Sequence, residues 1–158
     1  MTQYYFHFLY LLTRVKKRVK LDITSDKQMF LGTFSPSLAS TGQVALPVKL
    51  RSALGSDRAV ITTGFDKCIF GFSLTQWQKL GEMELVKPLS TLEGRNVRRQ
   101  MYAQAVEVDL DDQGRFVIPE ILRKYAGIKE KIAVIGAGDH FEIWDKDEWT
   151  NLSHSGTS

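Results

Sequence analysis

Hydrophobic and polar residues alternate on both sides of a short polar stretch at residues 111–114. Apolar side chains stand at every second position, with Val106, Val108 and Leu110 before the stretch and Phe116 and Ile118 after it. A period of two predicts two short strands joined by a tight turn, and Gly114 can adopt the left-handed conformation that closes such a turn. After Pro119 the spacing becomes helical and ends at Gly127. The pattern therefore predicts a hairpin followed by a short helix.

The same unit occurs twice, at an offset of 72 positions given by Pro47 and Pro119 (119 − 47). The identities at this offset need no gap and include seven at corresponding points of the two units: Gly42/Gly114, Pro47/Pro119, Leu50/Leu122, Arg51/Arg123, Gly55/Gly127, Gly64/Gly136 and Trp77/Trp149. Because these identities lie at the same turns and element ends in both units, they indicate a tandem duplication. We expect a first unit at residues 33–78, a helical linker at 79–104 and a second unit at 105–150.

Charge and composition separate residues 1–28 from the rest of the chain. They hold six Lys or Arg against two Asp, whereas the other residues hold fifteen against sixteen acids, so the net charge of +3 belongs to this leader. Its apolar run at residues 4–12 is too short to span a membrane, and its basic residues follow the run, unlike those of a signal peptide. We expect a non-native or disordered leader, with translation starting at Met29. A membrane-surface anchor is the alternative.

The remaining composition is that of a folded protein. A length of 158 residues suits one compact domain or two small halves that share a core, and the apolar fraction is 43%. The single cysteine, Cys68, excludes an internal disulfide and fits a reducing cytosol. The polar tail at residues 151–158 is expected to be disordered.

Arg115, at the tip of the second hairpin, is the strongest candidate for chemistry. Arginine commonly recognises guanine, and a hairpin tip can present it to the major groove. Asp111, four residues earlier, can orient the guanidinium or accept hydrogen bonds from the turn. The alternative is a surface salt bridge of little energetic weight. Gln43 occupies the matching place in the first unit, where it can contact adenine or phosphate; the alternative is that this tip has stopped reading DNA.

Other kinds of site have weaker support. Residues 109–120 match most of a calcium-loop pattern, but their flanks alternate like strands instead of helices. Arg95, Arg98 and Arg99 cluster on a predicted helix, either as a solvated face or as phosphate contacts. The three tryptophans are expected to be core or interface anchors. No spacing indicates a catalytic, cofactor-binding or metal-binding site.

Several motifs together resemble a known family. They are residues 29–32 (MFLG), the repeated Gly-x-x-x-x-Pro hairpin, the Asp111-x-x-x-Arg115 tip and residues 141–144 (FEIW). In this combination, from Met29 to Trp149, the sequence resembles the MraZ family, tandem SpoVT-AbrB-type regulators of bacterial division and cell-wall genes. One departure is evident, because the family has Asp-x-x-x-Arg at both tips and this chain has Ala39 and Gln43 at the first.

The resemblance implies an α+β fold in which two SpoVT-AbrB-like units interlace their swapped hairpins into an intertwined β-barrel, flanked by short helices. It implies a non-enzymatic transcriptional regulator in the cytoplasm and nucleoid, without cofactor, metal, small-molecule substrate or membrane partner. Its partners would be repeated double-stranded DNA elements in the promoter of its own operon and further copies of itself in a ring. The implied DNA-binding residues are Asp111, Gly114, Arg115 and Gln43.

Two alternatives belong to other functional classes. The first is an AbrB-like assembly scaffold that no longer recognises DNA. The second is an antitoxin whose tail binds a toxin, against which the short polar tail after Trp149 argues.

Overall fold

The computed structural model describes residues 29–155, so the predicted leader and the last three residues lie outside the described range. Within it the chain forms eight strands and five helices. In chain order they are β1 (Phe30–Phe34), β2 (Gln43–Ala45), α1 (Val48–Leu54), β3 (Arg58–Thr63), β4 (Ile69–Ser73), α2 (Leu74–Glu84), α3 (Leu92–Tyr102), β5 (Val106–Asp109), β6 (Arg115–Val117), α4 (Glu120–Tyr125), β7 (Ile132–Gly138), β8 (Phe141–Asp145) and α5 (Lys146–Ser155).

The strands form one large antiparallel sheet and one small ladder. The large sheet has six strands in the order β1-β7-β8-β4-β3-β5, and β2 pairs with β6 in a separate two-stranded ladder. Only β3–β4 and β7–β8 pair within one half of the chain. Every other pairing joins a strand from β1–β4 to a strand from β5–β8. The α+β class and the interlacing of the two units are therefore present.

The register of these pairings follows the sequence repeat. The β2–β6 ladder is centred on Val44 opposite Phe116, and the β4–β8 pairing is centred on Phe70 opposite Glu142. Both pairs are separated by 72 positions (116 − 44 and 142 − 70), which is the offset of the duplication. A pseudo-twofold axis thus relates the two halves of the chain.

The predicted closed barrel is not formed by the described residues, because the six-stranded sheet ends at β1 and β5. Proline explains part of this opening. Pro36 follows β1 and lacks the N–H that a longer ladder needs, while Pro47 and Pro119 stand just after β2 and β6, which have three residues each. The two arms of each predicted hairpin therefore separate after the tip and enter different sheets.

The core lies between the large sheet, the β2–β6 ladder and the short helices α1 and α4. Val44 and Phe116 point into it from the ladder and are 2% and 3% exposed. Leu50 of α1 and Leu122 of α4, equivalent in the repeat, are fully buried. Burying one such side chain contributes about 1.5–3 kcal/mol to the stability of the fold. The buried side chains on the inner face of the ladder therefore hold the ladder, and the residues on its outer face, in place.

Equivalent residues begin the helices that follow β4 and β8. The Ser73 hydroxyl accepts a hydrogen bond from Gln76 N at 3.2 Å and so caps α2. Asp145 Oδ1 accepts from Asp147 N at 3.1 Å and begins α5 in the same way. None of the helices in the described range is long and apolar enough to cross a bilayer.

Residues 151–155, expected to belong to a disordered tail, instead continue α5, and residues 156–158 lie outside the described range. Two contacts that sequence composition does not reveal stabilise this helix. One is the Asp145 cap, and the other is the packing of Trp149 on Trp144, with ring centroids 5.8 Å apart.

Candidate nucleic-acid interface

The second tip, defined as residues 111–115, is a turn closed by its own backbone. Asp111 N donates to Arg115 O at 3.0 Å, and Gly114 N donates to Asp111 O at 2.7 Å. Gly114 has a φ of 74°, which a residue with a side chain rarely adopts. The predicted role of Gly114 in closing the turn therefore agrees with its conformation.

The Asp111 carboxylate organises this tip. Its Oδ1 accepts hydrogen bonds from Gln113 N and Arg115 N, both at 2.9 Å, and its Oδ2 accepts from Arg115 Nε at 2.7 Å. The bond from the Arg115 backbone N–H and then that from the Arg115 side chain lower the pKa of Asp111. The carboxylate is consequently ionised at neutral pH and holds the Arg115 side chain in one orientation.

Arg115 presents the remainder of its guanidinium outward. Its side chain is 45% exposed, and within the described part of the chain no acceptor engages its two Nη atoms. Because an exposed ion pair contributes little to stability, the main effect of Asp111 is to orient the arginine. The two Nη groups of a guanidinium form a planar pair of N–H donors, which matches two acceptors on one edge of a planar partner.

The first tip, defined as residues 39–43, has the same backbone without the ion pair. Ala39 N donates to Gln43 O at 2.9 Å, Gly42 N donates to Ala39 O at 2.8 Å, and Gly42 has a φ of 86°. Alanine at position 39 has no carboxylate to orient a side chain at position 43. The two tips thus share a conformation and differ in charged groups.

The β2–β6 ladder brings the predicted residues of both tips onto one surface. Gln43 and Arg115 lie on the face opposite the buried Val44 and Phe116, because side chains alternate along a strand. The register places Arg115 opposite Ala45 and Gln43 opposite Val117. Since the strands are antiparallel, the two tips lie at opposite ends of the ladder.

Two arginines that the sequence did not assign to the site lie against the tips. A Cβ placed on Gly114 would be 2.7 Å from Arg51 Nη1, and one placed on Gly42 would be 2.8 Å from Arg123 Cζ. Each arginine comes from the half of the chain that does not contain the tip. Their equivalence in the 72-residue repeat is the one sequence signal that pointed to them.

The arginine cluster of α3 has a structural role for two of its members. Arg95 Nη1 donates to Ser90 O at 2.8 Å and to Leu89 O at 3.2 Å. Arg98 Nη1 donates to Lys87 O at 2.9 Å, and its Nη2 donates to Leu85 O at 3.2 Å. These hydrogen bonds connect α3 to the loop between α2 and α3, so the guanidinium donors of both arginines are used by backbone carbonyl groups.

Residues 109–120 do not form the helix-flanked loop that the calcium pattern requires. Asp109 ends β5, and both carboxylate oxygens of Asp111 accept hydrogen bonds from the tip. Among the described residues no group of three His, Cys, Asp or Glu side chains could hold a metal ion. Cys68 is fully buried, and burial followed by the charge of Glu142 raises the pKa of its thiol to about 12.

A third group of polar side chains surrounds His140, in the turn between β7 and β8. Its ring lies between Asp139, at 2.6 Å, and Glu142, at 3.3 Å, with the rings of Phe70 and Phe72 at 4.7 and 5.4 Å. Burial lowers the pKa of His140, but hydrogen bonds with the two carboxylates outweigh burial and raise it to about 9. The imidazolium therefore links the β7–β8 turn to β4.

The fold and the tips define a class: a tandem α+β protein whose two halves exchange hairpin strands and present two turns at opposite ends of one ladder. Comparison with family models identifies the family. The chain belongs to the MraZ family, whose model, described as "MraZ protein, putative antitoxin-like", matches residues 29–100 and 101–156. The two consecutive matches confirm the tandem organisation and the resemblance, and they support a regulatory or antitoxin-like role.

Proposed function

We propose that the protein is a transcriptional regulator that binds repeated double-stranded DNA elements in the promoter of its own division and cell-wall operon. One observation carries the proposal: Asp111 holds the half-exposed Arg115 side chain at the end of the ladder through Nε, and among the described residues no acceptor engages its two Nη atoms. The O6 and N7 atoms of guanine in the major groove are the acceptors that such a donor pair fits.

The ladder supplies the geometry for this contact. A two-stranded antiparallel ribbon fits the major groove of B-DNA, which is about 12 Å wide. Arg115 would donate to guanine, and Ala45, directly opposite it in the register, would pack on a neighbouring thymine methyl group. Phe116 is buried on the other face and fixes the ladder to the core. Little conformational entropy then has to be lost when the tip enters the groove.

Assembly strengthens a contact that is weak in one protomer. Residues 29–158 hold fifteen Lys or Arg against sixteen acids, so long-range attraction to DNA is small. We propose that copies of the chain form a ring in the cytoplasm, at the nucleoid, and engage several DNA repeats at once. Linked sites raise the effective concentration of each tip at the next repeat.

The test is a titration of the full-length protein against two duplexes at two salt concentrations. One duplex is the promoter of its own operon, and the other has the same base composition in scrambled order. We expect the promoter to bind at least tenfold more tightly at both salt concentrations, since base contacts persist when phosphate contacts are screened. Equal affinity for the duplexes would contradict sequence recognition, and assembly without any DNA binding would favour the scaffold.

The family description also keeps the antitoxin as a second candidate function. An antitoxin has to hold a separate toxin chain tightly. Co-purification of one stoichiometric protein partner from the native host, together with failure to bind the promoter, would favour this candidate over the regulator.

A further inference from the structure

The first tip lacks the Asp–Arg pair, yet it lies beside two cations from the other half of the chain. We infer that Arg123 and Lys129 make this tip a second DNA contact, directed at a backbone phosphate instead of a base. The inference rests on the DNA binding proposed above and assigns separate tasks to the two ends of the ladder.

Arg123 reaches the first tip from α4 and is fixed there by one hydrogen bond. Its Nε donates to Ile118 O at 3.1 Å, and its guanidinium lies over Gly42. A Cβ on Gly42 would be 2.8 Å from both Cζ and Nε of this arginine, so a side chain at position 42 would displace the guanidinium, and the positive φ of Gly42 also favours glycine. Within the described residues no acceptor engages the Nη atoms, which remain able to donate to an anion.

The surroundings of Arg123 form a cationic recess. A surface cavity of about 320 Å³ is lined by Leu38, Ala39, Ser40, Arg123, Lys129 and Glu130. The lining residues include two cationic side chains and one acidic side chain, so their net charge is positive. Positively charged donors together with a hydroxyl are the groups that proteins use to bind DNA phosphates.

Three of the equivalent positions at the second tip carry a negative charge. The 72-residue offset matches Ala39 with Asp111, Ser40 with Asp112 and Lys129 with Asp57. At these three positions the second tip has carboxylates and the first has none, whereas Glu130 of the recess matches Arg58. Apart from Glu130, the first tip therefore lacks carboxylates that would repel a phosphate near Arg123.

The two ends of the ladder then have different partners on DNA. The second tip offers an oriented Arg115 to a base, and the first tip offers Arg123 and Lys129 to the backbone. Because the tips lie at opposite ends of the β2–β6 ladder, this difference removes the functional equivalence of the two halves. Each protomer would bind its DNA element in a single orientation.

The experiment measures the dissociation constants of full-length variants for the promoter duplex and for its scrambled counterpart over a series of KCl concentrations. Arg123→Gln should weaken binding to both duplexes by the same several-fold factor. It should also reduce the slope of log K against log [KCl] by about 0.9 for each engaged first tip. Lys79→Gln, which removes an exposed cation from α2, outside both tips, is the control and should leave the slope unchanged.

Two further variants separate charge from structure. Arg123→Lys loses the Nε donor to Ile118 but keeps the cation, so it should retain the wild-type salt slope. Lys129→Gln alters an exposed side chain and should reduce the slope even if Arg123→Gln does not fold. If Arg123→Lys loses as much of the slope as Arg123→Gln, or if Lys129→Gln and Arg123→Gln leave the slope unchanged, the inference is overturned.

These results are distinguishable from a failure of the proposed function. A wild-type protein that prefers its promoter, with an unchanged slope in Arg123→Gln and Lys129→Gln, would remove only the phosphate contact at the first tip. A wild-type protein that binds neither duplex would overturn both the inference and the proposed function.

Discussion

Replacement of Arg115 by alanine tests the second tip with little disturbance of the fold. The turn is closed by backbone hydrogen bonds between Asp111, Gly114 and Arg115, which do not depend on the arginine side chain. The neighbouring Phe116 stays buried and holds the ladder on the core. The substitution removes one exposed ion pair, which contributes little to stability. The variant should therefore fold and assemble as the wild type does.

The expected loss of DNA affinity follows from the number of donors removed. A bidentate contact between arginine and guanine contributes about 1–3 kcal/mol, which corresponds to a loss of about 5- to 150-fold in Kd for each engaged site. Simultaneous binding of several protomers would multiply this loss. Gln43→Ala should cost much less, because Gln43 has no carboxylate beside it to orient its amide. Gln43→Arg should strengthen binding and steepen its salt dependence, since a cation is added near the phosphates.

Fluorescence anisotropy with a labelled promoter fragment from the protein's own operon, at low and moderate salt, measures these differences. Lys79→Ala is the control, because it removes one exposed cation from α2, outside both tips. Equal losses for Arg115→Ala and Gln43→Ala would refute the asymmetry of the tips. An unchanged affinity in Arg115→Ala, with assembly intact, would show that the second tip does not recognise DNA.

Three other measurements address the pH dependence, the helix cap and the assembly. The pKa of His140 is raised to about 9, so its imidazolium stabilises the fold fully below the unfolded pKa near 6.5, and this contribution is lost as pH rises through 9. Urea unfolding should show that the free energy of unfolding falls by roughly 1–3 kcal/mol between pH 7 and pH 10. His140→Gln should abolish this fall. Asp145→Ala should lower the free energy of unfolding by about 1–3 kcal/mol, because it removes the α5 cap and the acceptor for Lys129 N. Asp145→Asn should lower the free energy of unfolding by less. Equal decreases for the two variants would exclude the cap as the cause. Light scattering at micromolar concentration should give a mass larger than a dimer, and a monomer mass would contradict the ring.

Much of the local structure of the site could be predicted from sequence. The tip at residues 111–115 follows from Gly114, which supplies the left-handed conformation, and from Asp111, whose short carboxylate reaches the turn N–H groups. Ser73 as a cap and proline at the end of each hairpin are equally local signals. The positions of Arg51 and Arg123 were not predictable in this way, since each lies over a glycine 60 or more residues distant in the chain (114 − 51 and 123 − 42).

By itself the sequence determined the repeat, the two turns and the order of strands and helices, because these depend on periodicity and on the backbone preferences of glycine and proline within a few residues. Tertiary structure decided which strands pair. A strand such as β6 has the same alternation whether it pairs with β5, its neighbour in the chain, or with β2 from the other half, and packing of Phe116 opposite Val44 selects β2. Because β6 pairs with β2, the large sheet stays open and the two tips lie at opposite ends of one ladder. The same pairing places Arg51 against the second tip and Arg123 against the first. Pairing over such distances depends on burial in a shared core, which short-range sequence patterns do not encode.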